Sequence, residues 1–432
     1  MPTRHAEPRG AARASPPGAT AQRRRIGAAK LSAPPLRPGI VDRPVLLDLV
    51  MSASEAPVVL VSAPAGYGKT TLLSLWRSRD ERPFGWLSLD ATDNEPAALV
   101  AGLAAALDPI LDLGDASPDD ILPALVDACI ERRRDFVLVL DDLHLVTERR
   151  CHTALGYLGE RLPAGCQIAL ATRTDPPLPI ASWRAHGRLA EVRVAELSLG
   201  VAEARAVLAA AGVRPPDEQV AQLVERTEGW PAAIYLAALS IRDRPHAEDF
   251  VERFAGTSRH VADFLSEDVL ARQPEDVITF LLHTCLLDEL TAPRCNALTG
   301  RSDADEMLRA LERSNLFVVP LDEERRAYRY HHLFGQYLRA ELARREPELV
   351  PELRRRAGRA GRRRQPSREL SDAERRILRL LATDLSLREI GRELYLSTNT
   401  VKTHTRAIYR KLGVSSRSDA VKAGAPPGGS PG

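Results

Sequence analysis

The sequence predicts an α/β domain built on a parallel sheet, then a mainly helical region, then an all-α helix-turn-helix domain. Three observations predict this order. Short apolar runs alternate with helical stretches up to about residue 195. The pattern is then helical from 196 to 345, with one possible hairpin in LFVVPLDEERRAYRYH. Residues 370–423 again show helical periodicity.

The apolar runs are the predicted strands. One begins VVLVSAPAGYGKTTLLSLW, which predicts a buried strand, a Gly-rich turn and a helix; the others are FGWLSL, FVLVLDDLHLV and QIALATR. Nearly continuous apolar strands separated by helices are typical of a parallel sheet with both faces covered.

The composition is that of a globular chain with about two to four domains, since it has 432 residues of which 44% are hydrophobic and 27% charged. No apolar run approaches the roughly 20 residues that span a bilayer, and the N-terminus lacks an apolar signal segment. The five cysteines form no CxxC pair, so idle, reduced thiols are expected. These features predict a cytoplasmic protein without a membrane partner.

The charge is distributed unevenly along the chain. Residues 351–422 hold 19 Lys and Arg against 8 Asp and Glu, whereas the whole chain carries a net charge of +2, so residues 1–350 are acidic. A basic end on an acidic body indicates a polyanionic partner at that end. By itself, such a run is often only a solvated surface.

The turn after the first strand has the pattern of a phosphate-binding loop, with Ala in place of the first Gly. Gly66 and Gly68 allow the backbone N–H groups to point at phosphate oxygens, and the following helix adds its positive end. Lys69 is predicted to reach the β- and γ-phosphates and Thr70 to hold Mg²⁺. The motif therefore predicts an ATP- or ADP-binding P-loop NTPase domain, with candidate binding residues Ala63, Pro64, Ala65, Gly66, Tyr67, Gly68, Lys69, Thr70 and Thr71.

Two carboxylates end the strand VLVL. We assign Asp141 to Mg²⁺ and Asp142 to polarising the water that attacks the γ-phosphate. An acidic pair alone is commonly a strand-end turn, so this assignment depends on the P-loop.

The segment from about 30 to 345 resembles the ATPase part of MalT-type transcription regulators, the large LuxR-family members of the STAND class. The resemblance is carried by KLSAPPLRPGIVDRPVLL, the P-loop, VLVLDDLHLV, ATRTDPPLPIASWRAHGRLAEVR and TEGWPAAIYLAALS. It implies a P-loop ATPase domain over 30–195, a helical lid over 196–255 and a winged helix over 256–345. It also implies that ADP locks a closed form and that ATP exchange opens it for self-assembly.

The resemblance implies roles for four further residues. Arg173 matches the sensor of the γ-phosphate, and Pro231 in Gly-Trp-Pro matches the lid residue that abuts the base. His331 matches the winged-helix histidine that touches the ADP β-phosphate, and Arg43 lies on the adenine side. On the residues alone, Arg173 is a surface arginine, Pro231 a helix-breaking turn and His331 an interdomain contact; these alternatives stay open.

Residues 370–423 predict a four-helix DNA-binding domain. Ser371-x-x-Glu374 and Ser386-x-x-Glu389 are capping boxes, and each opens an apolar-periodic run. Two short helices that meet at a tight turn form a helix-turn-helix. The apolar faces are expected to hold Leu387, Ile390 and Leu394 in the second helix and Val401, Ile408 and Leu412 in the third.

The opposite face of the third helix presents Lys402, Thr403, Arg406 and Arg410, which suit a major groove, although a solvated basic face is common in other helices. TVKTHTRAIYRKLGVSSRSDAV closely resembles the LuxR-type DNA-binding domain. The resemblance implies that Lys402, Thr403 and Arg406 face bases and that Lys411 contacts phosphate. The fourth helix is then the dimer surface.

The remaining segments are interpreted as linkers and tails. Residues 1–29 are expected to be a disordered basic tail, 346–369 an Arg-rich flexible linker and 424–432 a flexible tail. MalT-type regulators continue after the winged helix with a helical-repeat sensor, whereas here the DNA-binding segment follows directly. The arginine-rich stretch 354–371 therefore marks the place of that sensor and adds some phosphate attraction.

Three hypotheses for function follow. In the first, an ATP/ADP switch with slow ATP hydrolysis controls self-assembly and binding to double-stranded DNA, with an ATP-dependent oligomer, a DNA-bound dimer and RNA polymerase as expected partners. In the second, the chain is a DNA-binding regulator with a vestigial nucleotide domain. In the third, it is a signalling ATPase whose C-terminal helices bind protein.

Overall fold

The structure is a computed structural model that describes residues 26–37, 39–111, 121–132, 135–242, 254–362, 370, 372–383, 385–394, 398–412, 414 and 416–424. Three predicted segments lie wholly or mostly outside the described residues: 1–25 of the N-terminal tail, 363–369 of the linker and 425–432 of the C-terminal tail. Among the described residues, no helix combines the length and apolar character needed to cross a bilayer.

A five-stranded parallel sheet forms the centre of the N-terminal domain. Its strands stand in the order β2-β3-β4-β1-β5, and every pairing in it is parallel. The central strands are buried along their whole length, as the continuous apolar runs predict. The strands are β1 (Val58–Ser62), β2 (Phe84–Ser88), β3 (Phe136–Asp141), β4 (Cys166–Thr172) and β5 (Leu189–Val192).

Helices cover both faces of this sheet, and two separate apolar clusters lie on its two sides. The helices of this domain are α1 (Pro44–Ser52), α2 (Lys69–Arg79), α3 (Pro96–Leu111), α4 (Ile121–Arg132), α5 (Arg149–Arg161), α6 (Ile180–Ala185) and α7 (Val194–Leu197). All five cysteines are buried and none is in a disulfide, as expected for reduced thiols.

The predicted lid and winged helix pack against one face of the parallel sheet, and their apolar side chains form a single core with that face. The lid helices are α8 (Val201–Ala210), α9 (Asp217–Thr227) and α10 (Pro231–Arg242). The next unit has helices α11 (Arg259–Phe264), α12 (Glu275–Thr284), α13 (Ala292–Thr299), α14 (Ala304–Arg313) and α15 (His332–Arg345). Its small antiparallel sheet joins β6 (Leu290–Thr291), β7 (Val318–Pro320) and β8 (Ala327–Tyr330), which confirms the predicted hairpin.

The flexible-linker prediction is wrong for the first part of 346–369, because Val350–Arg362 forms helix α16. Leu353 is buried in the winged-helix core, and Arg356 donates to the carbonyl of Leu298 at 3.4 Å. Arg, Ala, Leu and Glu are strong helix formers, and Val350 and Ala357 pack beside Leu353 against the same core, so this amphipathic helix is held on α13.

The C-terminal domain has the four predicted helices, α17 (Asp372–Leu381), α18 (Leu387–Glu393), α19 (Thr398–Leu412) and α20 (Arg417–Gly424). Its core buries Ile390, Val401 and Ile408, with Leu387, Leu394 and Leu412 packed against them, as the two apolar faces predict. Arg417 was not singled out from the sequence; it donates to the carbonyls of Leu381, Thr383 and Leu385 and ties α20 to the α17–α18 connection.

The second predicted capping box is confirmed. Ser386 Oγ accepts from the backbone N–H of Glu389 at 3.3 Å, and the Glu389 carboxylate accepts from the backbone N–H of Ser386 at 2.8 Å. Of the first box, Ser371 lies outside the described residues, so that box stays a prediction; the Glu374 carboxylate accepts a hydrogen bond from Lys411.

Replacing Ser386 with alanine is expected to lower the free energy of unfolding of the C-terminal domain by about 1 kcal/mol, because α18 loses its N-terminal cap. Denaturant unfolding of the full chain, followed by a probe in this domain, measures the change. Ser52→Ala serves as the control, since that exposed hydroxyl donates to the carbonyl of Leu49 at 3.3 Å and caps no helix N-terminus among the described residues. An equal change in both variants would contradict the capping role.

Candidate functional site

The predicted phosphate-binding loop joins β1 to α2. Gly66 and Gly68 adopt positive φ angles of 77° and 79°, which glycine tolerates best. Lys69 is buried, and its ammonium donates to the carbonyls of Ala63 and Pro64 at 2.8 and 2.9 Å. Burial and then the charge of Arg173 lower the pKa of Lys69 to about 8. The ammonium thus lies inside the loop, where it can move onto a phosphate.

The two predicted Mg²⁺ residues lie together. Thr70 Oγ1 donates to the Asp141 carboxylate at 2.8 and 3.0 Å, although 71 positions separate them in the chain. Burial and the neighbouring Asp142 raise the pKa of Asp141 to about 6. A hydroxyl and a carboxylate that share one edge fit a magnesium ion, whose charge would offset the cost of burying Asp141.

The chain turns sharply after Asp141. Asp142 has φ 58° and ψ 36°, in the left-handed region, and its side chain is half exposed. The turn brings His144 back beside it, with His144 Nδ1 3.8 Å from Asp142 Oδ1. His144 was not singled out from the sequence, where DDLHLV shows only a strand end.

Arg173 lies at the end of β4, close enough to Lys69 to lower its pKa. One guanidinium nitrogen of Arg173 donates to the carbonyl of Asp268, in the winged-helix unit, at 3.2 Å. Burial and the charge of Arg272 lower the pKa of Arg173 itself. Arg173 is therefore a bridge between the P-loop edge and the winged helix, and its part as a γ-phosphate sensor stays a prediction.

The lid packs directly on the P-loop. Trp230 Nε1 donates to the carbonyl of Ala65 at 3.0 Å, and the backbone N–H of Ala232 donates to the carbonyl of Gly66 at 3.1 Å. A Cβ at Gly66 would lie 2.6 Å from the Cβ of Ala232 and 2.8 Å from Trp230 Nε1. Gly66 is thus needed both for the turn and for the close approach of the lid. Pro231 lies between these two contacts, at the start of α10.

An aromatic cluster joins the P-loop, the lid and the winged helix. Its members are Tyr67, Trp230, Phe264, Phe317, His331 and Phe334, with ring centroids 5.0–6.4 Å apart in the pairs that touch. Phe317 has φ 52°, which is uncommon for a bulky residue and is maintained by the packing around it. Tyr67, in the loop, is buried by this cluster.

A buried ion pair fastens the lid to the winged helix. Glu228 accepts two hydrogen bonds from the Arg329 guanidinium, at 2.7 and 2.8 Å, and one from the backbone N–H of His332 at 2.9 Å. Burial would raise the pKa of Glu228, but the neighbouring His331 and Arg329 lower it to about 2. Both residues lie within segments quoted from the sequence, yet their pairing over 101 positions has no signal in the sequence.

His331 is buried at the contact between lid and winged helix. Its Nε2 donates to the carbonyl of Thr227 at 3.1 Å, and Nδ1 has no hydrogen-bond partner among the described residues. Burial lowers its pKa, so the ring is neutral near pH 7. In this conformation His331 makes an interdomain contact, which is the alternative that the residues alone suggested. Its contact with a β-phosphate stays a prediction.

Asn315 fastens the winged helix to the edge of the parallel sheet. Its side-chain amide donates to Ser62 Oγ at 3.1 Å and to the carbonyl of Arg173 at 2.9 Å. The backbone N–H of Asp175 also donates to the carbonyl of Arg313 at 3.1 Å. The sequence offered no signal for these contacts, because the partners come from distant segments.

Arg43 lies at the N-cap of α1, where its guanidinium donates to Glu203 at 2.8 Å and to the carbonyls of Leu197, Glu196 and Ser198. These contacts tie the start of the domain to the lid. Its place beside an adenine stays a prediction.

In the C-terminal domain, the backbone of α19 is described, but the side chains of Lys402, Thr403, Arg406 and Arg410 lie outside the described ones. Their contacts with bases stay a prediction. The Lys411 ammonium is largely buried and pairs with Glu374 at 2.5 Å, so in this structure it fastens α19 to α17. A phosphate contact of Lys411 would have to compete with that pair.

The C-terminal domain also contacts the hairpin between β7 and β8. Arg376 pairs with Glu323 at 3.1 Å, and His404 of α19 hydrogen-bonds the backbone of Leu321. Burial lowers the pKa of His404, although the acidic groups Glu374 and Asp322 oppose this. The hairpin loop that holds Asp322 and Glu323 therefore lies against the helix that is predicted to read DNA.

The fold and site define a P-loop NTPase domain with a lid and a winged helix, joined to a helix-turn-helix domain. Residues 266–350 match the MalT winged helix domain, and residues 368–423 match the bacterial regulatory proteins of the luxR family. The chain is thus MalT-like in its winged helix and LuxR-type in its C-terminal domain, which confirms the resemblance seen in the sequence.

Longer curated proteins resemble about three quarters of the chain. The regulator MalT of Serratia proteamaculans is 32% identical over 72% of this chain, and MalT of Vibrio campbellii is 30% identical over 76%. The serine/threonine-protein kinase PknK of Mycobacterium tuberculosis is 32% identical over 74% of this chain. The word kinase in that name describes PknK and is not carried over to this chain. This chain spans about a third of their lengths, between 30% and 38%.

The fold also resembles that of a solved structure. A Walker-type ATPase of Pyrococcus abyssi superposes with a TM-score of 0.50 at 14% identity, over 70% of this chain and 97% of that one. At that identity the likeness concerns the fold alone, and it agrees with the P-loop NTPase architecture.

Proposed function

We propose that the protein is a nucleotide-controlled regulator that binds double-stranded DNA through its LuxR-type domain and switches between an ADP-bound closed form and an ATP-bound open form. One observation carries this proposal: the phosphate-binding loop is hydrogen-bonded directly to the lid, through Ala65 to Trp230 and through Gly66 to Ala232. A change in the loop on nucleotide exchange must therefore disturb the lid.

The chain's own residues supply the nucleotide chemistry. Lys69 leaves its two loop carbonyls and pairs with the β- and γ-phosphates, while Asp142 receives a proton from the attacking water. Thr70 and Asp141 would hold Mg²⁺, which supplies charge stabilisation on the phosphates when bound. Hydrolysis at such a site would be slow and would reset the switch.

The same contacts support a path from nucleotide to DNA. Glu228 and Arg329 link the lid to β8, and the β7–β8 hairpin is in contact with the C-terminal domain through Glu323 and Arg376. Opening of the lid would pull on this hairpin and free α19 for DNA. It would also expose the aromatic cluster, an apolar surface suited to a second copy of the chain and thus to ATP-dependent self-assembly. Contact with RNA polymerase remains an expectation of the resemblance.

The test is DNA binding and molecular size of the purified full chain, first with ADP and then with a slowly hydrolysed ATP analogue, at one salt concentration. We expect the affinity for double-stranded DNA to rise about tenfold or more with the analogue. Lys69→Ala should abolish the difference, whereas Arg77→Ala, exposed on the same helix, should preserve it.

The outcomes separate the three hypotheses. Equal DNA affinity with both nucleotides would sink the switch, and unchanged DNA binding in Lys69→Ala would favour the vestigial nucleotide domain. The signalling ATPase without DNA binding is disfavoured by the luxR-family match. It predicts no salt-dependent gel shift that disappears in Lys402→Ala with Arg406→Ala.

A further inference from the structure

The outer side of α16 is a concentrated basic surface on an acidic body. Residues 354–364 hold seven arginines and no acidic residue, although residues 1–350 are acidic overall. Leu353 is buried, and Val350 and Ala357 pack beside it, so the side of the helix that faces the core is fixed. With the apolar side turned inwards, the described arginines of the helix lie on its exposed outer side.

Four residues at helical spacing form a cleft on this outer side. The cleft has a volume of about 220 Å³ and is lined, among the described residues, by Glu352, Arg355, Arg356 and Arg359. Residues three and four positions apart lie on one face of a helix, which is why these side chains meet. Arg356 pairs with Glu352 and donates to the carbonyl of Leu298 at 3.4 Å. Arg356 thus neutralises the carboxylate of the cleft and leaves the charges of Arg355 and Arg359 uncompensated beside it.

Three arginines of α16 have no ion-pair partner among the described residues. Arg354, Arg355 and Arg359 are exposed, and none of them lies within ion-pair distance of a described carboxylate. On the body of the protein, by contrast, exposed arginines such as Arg205 and Arg309 pair with aspartates at 2.8 and 3.2 Å. Neighbouring guanidinium groups repel one another, so an anion that lies on this surface is favoured. Because a guanidinium presents parallel N–H groups that match phosphate oxygens, the surface is complementary to a phosphate backbone.

The length of chain between α16 and the DNA-binding domain limits how far the two can separate. Eight residue steps join Arg362 to Leu370, and an extended chain spans at most about 3.6 Å per residue, which gives roughly 30 Å. One turn of double-stranded DNA is about 34 Å long. A duplex that is held by the helix-turn-helix domain therefore has phosphates, within about one turn of that contact, that α16 can reach.

We propose that the outer side of α16 binds the phosphate backbone of double-stranded DNA beside the site that the helix-turn-helix domain contacts. Arg354, Arg355 and Arg359 supply the contacts, and the pair of Arg356 with Glu352 maintains the shape of the cleft. Contacts of this kind carry no sequence information; they add affinity and fix the position of the ATPase body on the duplex. The inference rests on the proposed DNA binding and adds a second, sequence-independent contact to it.

The test measures binding of the full chain, with the slowly hydrolysed ATP analogue, to random-sequence duplexes of about one and about three helical turns. Arg354→Gln, Arg355→Gln and Arg359→Gln are combined in one variant. Each lost phosphate contact lowers the slope of log affinity against log salt by about 0.9, so on the long duplex the slope should decrease by about 2–3 and the affinity should fall about tenfold or more. The helix-turn-helix domain alone occupies the short duplex, which the native chain and the variant should bind nearly equally.

Two further variants make a loss of affinity interpretable. Arg→Lys changes at the same three positions keep the charge and should restore most of the affinity for the long duplex. Arg205→Gln with Arg259→Gln and Arg309→Gln removes the same amount of charge from other exposed sites, where each arginine pairs with an aspartate, and should leave the salt slope unchanged. Equal weakening by this control, or no recovery with lysine, would contradict the phosphate contact.

The outcomes also separate this inference from the proposed function. If the native chain binds neither duplex, the proposed DNA binding fails, and the inference fails with it. If the native chain binds both and the triple glutamine variant has the same affinity and salt slope on the long duplex, only the inference about α16 fails. An equal loss on the short duplex would overturn a contact beside the helix-turn-helix site. A changed molecular size with unchanged DNA binding would assign the surface to a second copy of the chain instead.

Discussion

Replacing Trp230 with alanine is expected to lower the free energy of unfolding of the folded ATPase–lid unit by about 3–5 kcal/mol and to disturb the nucleotide site at the same time. Trp230 is fully buried, its ring packs against Phe264, Phe317 and His331, and its Nε1 donates to the carbonyl of Ala65. Alanine would leave a cavity beside the P-loop and leave that carbonyl without its donor. Thermal or denaturant unfolding and ADP titration measure the two effects.

Two variants make the result interpretable. Trp230→Phe retains most of the packing and loses the hydrogen bond, so we expect a cost of about 1 kcal/mol. Trp183→Ala removes an equally buried tryptophan from the cluster on the other side of the sheet. It should destabilise the chain without weakening ADP binding beyond what the loss of folded protein explains. If Trp230→Ala and Trp183→Ala affect ADP binding alike, Trp230 has no special part in coupling the lid to the loop.

Glu228→Gln is expected to weaken the contact between lid and winged helix by about 2–4 kcal/mol. Glutamine can accept one hydrogen bond from Arg329, but it leaves the largely buried guanidinium without its counter-charge. If the closed form retains ADP, its release should accelerate by tenfold or more on the same arithmetic. The release of a fluorescent ADP analogue from the full chain, followed by stopped flow, measures this.

The same ion pair predicts a dependence on pH. Because the folded-state pKa of Glu228, about 2, lies below its ordinary value of 4.5, the pair contributes its full stability above pH 4.5 and loses it as the pH falls towards 2. Glu228→Gln should remove this part of the acid dependence. Glu341→Gln is the matched control, since Glu341 is equally buried but pairs with Arg344 and Arg345 within its own helix. A faster ADP release in that variant would contradict the clamp.

The sequence by itself determined the elements and the motif residues. Apolar runs predicted strands at the observed places because strands buried on both faces must be apolar along their length. The P-loop pattern predicted the turn at Gly66 and Gly68 and the helix that begins at Lys69, because a tight turn before a helix depends on local residues. The cap at Ser386 and the apolar faces of α18 and α19 are local in the same sense.

The arginine-rich segment shows where local interpretation failed. Gly358, Gly361 and the mutual repulsion of the arginines indicated a flexible linker. The segment up to Arg362 is helical because Leu353 finds a buried place on α13, a place that no pattern in the segment itself reveals. For Lys411 the resemblance implied a phosphate contact, which stays a prediction; in this structure Glu374 on another helix pairs with its ammonium.

Only the tertiary structure decided which polar groups meet. Thr70 with Asp141, Glu228 with Arg329 and Asn315 with Ser62 are brought together by the order of the strands and by the docking of the lid and the winged helix. These partners are 70 or more positions apart, and over such lengths the separation along the chain does not predict the distance between two residues in space. The sequence therefore determined the parts of the nucleotide site, while the closed packing of the three units on the P-loop came from the fold, because burial and hydrogen bonding between distant segments depend on how those segments dock.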